Sequence, residues 1–148
     1  MIAICCDHAG LELKNEIKKH LEEKNYEVKD FGTYDANSCD YPDFAYATAK
    51  SVATGECEKG ILVCGTGVGM SMCANKVHGI RCALCGDCFS AQATRQHNNA
   101  NMLALGARVT GAGLALKIVD TFLDTEFEGG RHQRRIDKMM DIENKENQ

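Results

Sequence analysis

No apolar run in this chain approaches the ~20 residues that a membrane-spanning helix needs. Nor is there an excess of basic charge to mark a surface for nucleic acid or membrane, since the net charge is -4. The N-terminus, Met1-Ile2-Ala3-Ile4-Cys5-Cys6-Asp7, lacks a basic n-region and reaches an acid at once. It is therefore expected to be the first strand of a fold and not a secretion signal. Without such a signal, the nine cysteines are expected as reduced thiols in the cytoplasm, and their odd number agrees. Tryptophan is absent, proline occurs once, and the low aromatic share is that of a soluble globular protein. No linker, internal repeat or composition break divides the chain. Residues 1–148 are expected to form one domain with one core.

What is present is an alternation of short β-type runs with helical periodicity. Strands are predicted over residues 1–5, 26–31, 59–64, 81–85 and 101–105. The run Ile61-Leu62-Val63-Cys64 reads as a central strand buried on both faces. Helices are predicted from the turn at Asp7-His8-Ala9-Gly10 to about residue 24, and over 41–53, with Pro42 tolerated near the start. Others are predicted through Met70, Ser71 and Ala74, over 87–96, over 112–124, and from Arg131 onward, with residues 137–148 fraying into a tail. This order predicts an α/β fold: three layers, a five-stranded parallel sheet, right-handed crossovers and an extended C-terminal helix. Ligands of such sheets lie beyond the carboxyl ends of the strands, which gathers Asp7-His8, Cys64 to Gly69 and Asp87 along one edge.

The turn Gly65-Thr66-Gly67-Val68-Gly69 lies between a buried strand and a helix. Its backbone N–H groups and the helix N-terminus make a nest for a phosphate or an oxyanion. It is not a P-loop, because no Gly-Lys-Ser/Thr closes it. It departs from the dinucleotide fingerprint too, because the third glycine is replaced by Met70. Cys64, just before the nest, is either a buried strand-end thiol or a nucleophile with thiolate character. His97, among Gln96, Asn98 and Asn99, is either an exposed loop histidine or a proton carrier near neutral pH. Arg131 and Arg135 are four apart and share a helix face, so together they can grip one phosphate or simply be solvated. Cys82-x-x-Cys85-x-x-Cys88 has metal-like spacing. Along a strand, however, residues three apart point to opposite faces, and no fourth ligand follows. Cys5, Cys6, Cys64, Cys73, Cys82 and Cys85 all read as buried small hydrophobes, and His20 and His78 as structural or solvent-facing.

Five segments taken together resemble the type B ribose-5-phosphate isomerases, a family that also holds galactose-6-phosphate and allose-6-phosphate isomerases. They are Asp7-His8-Ala9-Gly10, Asp40-Tyr41-Pro42-Asp43, Cys64-Gly65-Thr66-Gly67-Val68-Gly69-Met70-Ser71, Arg95-Gln96-His97-Asn98 and Gly129-Gly130-Arg131-His132-Gln133. The likeness runs in order from Met1 to about Ile136. It implies a Rossmann-like homodimer or homotetramer with active sites between subunits, acting on a sugar phosphate with no metal or organic cofactor. In family terms Cys64 is the base that moves a proton between C2 and C1. The branch that uses glutamate instead carries it where this chain has Met70. His97 opens the sugar ring with Asp7, and Thr66 steers protons between the substrate oxygens. The N–H groups of Gly65, Gly67 and Gly69, with Asn98, hold the enediolate. His8, Arg108, Arg131 and Arg135 take the phosphate. A six-carbon aldose phosphate and a non-catalytic sugar-phosphate-binding subunit are the competing readings.

Overall fold

Alternating side chains on the three central strands divide the core in two. The computed structural model describes residues 1–147. Five strands, β1 (Ile2–Cys6), β2 (Val28–Asp30), β3 (Lys59–Cys64), β4 (Cys82–Leu84) and β5 (Met102–Gly106), form one parallel sheet in the order β2-β1-β3-β5-β4. Six helices connect or follow them: α1 (Leu11–Glu23), α2 (Tyr41–Ala53), α3 (Val68–Ala74), α4 (Cys88–Asn98), α5 (Ala112–Asp124) and α6 (Arg131–Glu146). One face of the sheet presents Ile2, Ile4, Ile61, Val63, Leu103 and Leu105 to Leu13, Ile17 and Leu21 of α1 and to Ile118 and Phe122 of α5. The other face presents the smaller Ala3, Cys5, Cys64 and Ala104, with Leu62, to α2 and α3 through Ala45, Ala49, Met70 and Ala74. Every residue from Gly60 to Cys64 is buried, as expected for a strand covered on both faces.

The strand order reverses direction between β1 and β3. From β1 the chain moves outward to β2, then crosses back to β3 and beyond. The crevice between the carboxyl ends of those two strands is the place where such sheets bind ligands. Asp7-His8 and Cys64-Gly65 occupy those ends.

Several element ends differ from the sequence reading. The edge strands β2 and β4 are three residues each, because each has only one neighbour to hold its backbone. Helix α4 continues through His97 and Asn98, which the sequence reading places after it, and ends where Asn99 turns left-handed at φ 46°. The expected fraying after residue 137 is corrected: α6 stays helical to Glu146. It is held there by Glu143, which accepts from the Gly79 N–H at 3.0 Å and faces His78 Nδ1 at 3.3 Å. Cys73 and Cys82 are half-buried rather than buried, whereas Cys57 is buried. Among the described residues no helix is long and apolar enough to cross a membrane.

Candidate active site

The residues named from sequence fall into two groups at opposite ends of the sheet. The first group is built on backbone. Gly67 has φ +79°, and a Cβ there would lie 2.6 Å from Leu84 Cδ1 and 2.9 Å from the Leu105 carbonyl carbon, so only glycine allows the turn to fold down on β5. This geometry aims the Gly67 N–H at Cys64 Sγ, 3.0 Å away. Any negative charge that forms on the sulfur therefore has a donor already in place. Cys64 is buried at the mouth of this turn, whereas Thr66 is exposed. The Thr66 hydroxyl oxygen accepts from Val68 N–H at 3.2 Å, which leaves its own proton free for a ligand. Gly69 opens α3 against Tyr41, whose ring lies 2.7 Å from where a Cβ would stand.

Around this turn stand Asp7, His8 and Arg108. Asp7 is buried, and its Oδ1 accepts from Ala9 N–H at 2.9 Å and Gly10 N–H at 3.2 Å, so it fixes the short 3-10 turn that carries His8. His8 Nδ1 accepts from the Cys39 N–H at 3.3 Å, which leaves the other ring nitrogen to face a ligand. Arg108 follows β5 and its guanidinium passes 3.5 Å from the Cβ position of Gly65. Behind the group, the buried Lys14 ammonium donates to Asp30 at 3.0 Å and to the Thr33 carbonyl at 2.7 Å, tying α1 to the loop that brings Cys39 to His8. Asp87 lies at the same end but caps α4, where the backbone N–H and hydroxyl of Ser90 hold its carboxyl below the usual range.

The second group is built on side chains. His97, Asn98, Arg131, His132, Arg135, Ile136 and Met139 line a pocket of about 270 Å³ between α4 and α6. Two arginines fix the end of α4 that carries it. Arg81, which precedes β4, donates to the carbonyls of Asn98 at 3.1 Å and Asn99 at 2.9 Å. The buried Arg95 donates to Asn99 Oδ1 at 2.8 Å and to the carbonyls of Ala100 at 2.7 Å and Thr125 at 3.3 Å. Each guanidinium thus satisfies carbonyls that the helix end leaves open. Arg131 and Arg135 do share one face of α6, as their spacing predicts, and both are exposed.

Contact with Arg81 puts His97 and Asn98 beside the amino ends of β4 and β5, since Cys82 pairs with Met102 there. Cys64 is at the carboxyl end of β3, four residues past Gly60. Four residues of strand span about 13 Å. Helix α4, 11 residues long, returns along the sheet by about 16 Å. One chain therefore does not bring Cys64 and His97 to one substrate.

Sequence reasoning missed two residues of the second group. His132 is buried and stacks on His97, with ring centroids 4.5 Å apart. Burial, then the neighbouring Arg131 and His97, hold its imidazole below the usual histidine range. Glu128 presents Oε1 3.6 Å from His132 Nε2 and 3.7 Å from His97 Nε2. Its own N–H donates to the Gln96 carbonyl at 3.2 Å. The signal for His132 was its spacing four residues before the apolar Ile136, the buried stripe of α6. Cys82 packs toward α2 and α3 and Cys85 toward the opposite face of the sheet, as the strand alternation implies. Burial pushes the Cys82 thiol up to about 12 and the Cys85 thiol up to about 11.

Residues 2–139 match the family model described as Ribose/Galactose Isomerase. The chain is 51% identical over 146 residues to ribose-5-phosphate isomerase B of Escherichia coli, covering 99% of this chain and 98% of that protein. Its fold matches the solved ribose-5-phosphate isomerase B of Clostridium thermocellum with a TM-score of 0.96 at 53% identity, over 97% of each chain. The enzyme from Mycoplasma genitalium, solved with bound ribulose-5-phosphate, matches with a TM-score of 0.93 at 48% identity, over 97% of this chain and 95% of that one. The chain belongs to the ribose/galactose isomerase family, with the type B ribose-5-phosphate isomerases, and is a sugar-phosphate isomerase.

Proposed function

We propose that the protein interconverts ribose 5-phosphate and ribulose 5-phosphate by proton transfer through a cis-enediolate, in a site assembled from two copies of the chain. The observation that carries this reading is the Cys64 sulfur set under the Gly67 N–H at the topological switch point. One copy contributes Cys64, Thr66, the turn, Asp7, His8 and Arg108. The other contributes His97, Asn98, Arg131 and Arg135. Support for a second copy comes from Met72, Leu84 and Phe89, exposed on α3, β4 and α4. Large apolar side chains left exposed on the edge strand and on the helices either side of it in the chain suit a self-complementary contact.

In the reaction, His97 protonates the ring oxygen of the furanose while the Asp7 carboxylate takes the proton of the C1 hydroxyl, which opens the ring to the aldehyde. The Cys64 thiolate then takes the C2 proton, and the electron pair moves onto O1 to give the enediolate. N–H groups of the Gly65 to Gly69 turn and the Asn98 amide stabilise that charge. Thr66 passes a proton from O2 to O1, and Cys64 returns its proton to C1, which yields the ketose. His8, Arg108, Arg131 and Arg135 hold the phosphate through charge-assisted forks. The thiols of Cys6 and Cys82, pushed up to about 12 by burial, are unsuited to this work.

The test is isomerisation in deuterated water with kcat/KM measured for ribose 5-phosphate, allose 6-phosphate and galactose 6-phosphate. Exchange at C2 with ribose 5-phosphate as the preferred substrate is the expected result. Preference for a six-carbon sugar would overturn the substrate, and exchange retained in Cys64→Ala would overturn the base.

A further inference from the structure

We infer that His97, Glu128 and His132 form a binding site for a divalent transition ion of the zinc class, and that the ion, when bound, stops turnover by occupying His97. Its effect on turnover rests on the ring-opening role proposed for His97; its binding does not.

The three donor atoms lie within 4.8 Å of one another, the one such group of histidine, cysteine, aspartate and glutamate among the described residues. Glu128 Oε1 sits between the two Nε2 atoms at 3.6 and 3.7 Å. A tetrahedral zinc with bonds of about 2.0–2.1 Å needs its ligand atoms about 3.4 Å apart, so Glu128 is already within a few tenths of an ångström of a ligand's place. Two histidines and a carboxylate form an open zinc set, which leaves one position for water or substrate. The rings stack at 20° and must splay for both lone pairs to converge. His97 is half-exposed and can make that turn, whereas His132 is buried and stays as the fixed ligand. The backbone holds the set together: the Glu128 N–H is tied to Gln96, and His132 is four residues further on α6. Gly129 and Gly130, both at positive φ with nothing near their Cβ positions, let Glu128 adjust.

Arg131 and Arg135 line the same pocket and oppose a cation. They make the site weaker than a structural zinc site, which suits reversible inhibition better than permanent occupancy. A phosphate on those arginines would offset the repulsion, so zinc and phosphate are expected to bind together. This departs from the sequence expectation of no metal, and it does so as regulation: the ion takes the ring nitrogen that would carry the proton for ring opening.

The experiment is a zinc chloride titration of the Cys64→Ser protein, which removes the one thiol next to the nest, followed by imidazole NMR. The expected result is one equivalent of zinc that shifts the ring signals of His97 and His132 and leaves those of His8, His20 and His78 in place. Glu128→Gln, at a half-exposed loop position that leaves the fold intact, is expected to weaken binding by at least about tenfold, no less than loss of an outer-shell partner costs. No shift at His97 and His132, or Glu128→Gln binding as tightly as its parent, would overturn the site. Zinc inhibition of the unsubstituted enzyme, reversed by a chelator, is the expected activity result. Binding without inhibition would keep the metal site, overturn its regulatory effect and remove His97 from the reaction. Absence of binding leaves the proposed reaction as it stands.

Discussion

The two ends of the sheet carry their polar groups in opposite ways. At the carboxyl end the donors are main-chain N–H groups of a turn that folds down on β5, with Cys64 buried beneath it. At the amino end they are long side chains on α4 and α6, mostly exposed, in a pocket between two helices. Main-chain donors cannot be exchanged by mutation and cost no side-chain entropy when a ligand arrives, so they suit charge that exists only briefly in a transition state. Arginines on a helix face are ordered by the ligand itself and suit a permanent phosphate charge. The carboxyl end adds the side chains of His8 and Arg108 to its turn, whereas no such turn stands beside His97.

The largest effect is expected in complementation between the two ends. Cys64→Ala and His97→Ala are each expected to lose activity by roughly 10³-fold, the scale of general acid–base groups. Co-expressed, they are expected to recover about a quarter of wild-type activity. Half of the dimers would be mixed, each with one of its two sites intact. Two inactive variants that stay inactive when mixed would mean that each chain uses its own two ends.

Next in size is the turn. Gly67→Ala is expected to lower kcat by roughly 10²-fold, the scale of one lost oxyanion donor, because the added methyl meets Leu84 and Leu105 and pushes the N–H off Cys64. A folded variant with unchanged kcat would show that the turn is not under this constraint. At the other end, Arg135→Lys keeps the charge but loses the fork. It is expected to raise KM about tenfold with kcat nearly unchanged, as for a group that binds ground and transition states alike. A fall in kcat of the same size would place Arg135 closer to the reacting atoms. The smallest effect is expected at Gly129, also at positive φ but with open space around it. Gly129→Ala is expected to cost about 1 kcal/mol of stability in chemical unfolding. A much larger loss would mean that the entry to α6 is packed more tightly than its surroundings suggest.

Much of the carboxyl end was legible in the sequence because its parts lie close along the chain. Cys64, Thr66 and Gly67 are within one turn, and the strand before them is marked by an unbroken apolar run. Legibility failed where contacts join distant segments. Nothing local tells that Glu143 would cap the segment at Gly79 and keep α6 ordered, or that Arg81 and Arg95 would both grip the end of α4 and so extend it past Gln96. Glu128 was unreadable for the same reason, since its neighbours His97 and His132 come from two different helices. Asp7 carries a positioning role that no local pattern announces, since its Oδ1 accepts from the N–H groups of Ala9 and Gly10 and so fixes the turn that carries His8.

By itself the sequence determined the alternation of strands and helices, the glycine turn with its cysteine, and the paired arginines. These depend on periodicity and on the steric demands of neighbouring residues, which act over a few positions. Only the tertiary structure decided which groups share a space. Because α4 runs back along the sheet, His97 and the arginines lie at the end away from Cys64. Parallel pairing of β4 with β5 obliges the helix between them to run back, and which strands pair is settled by the assembled sheet rather than by any spacing along the chain.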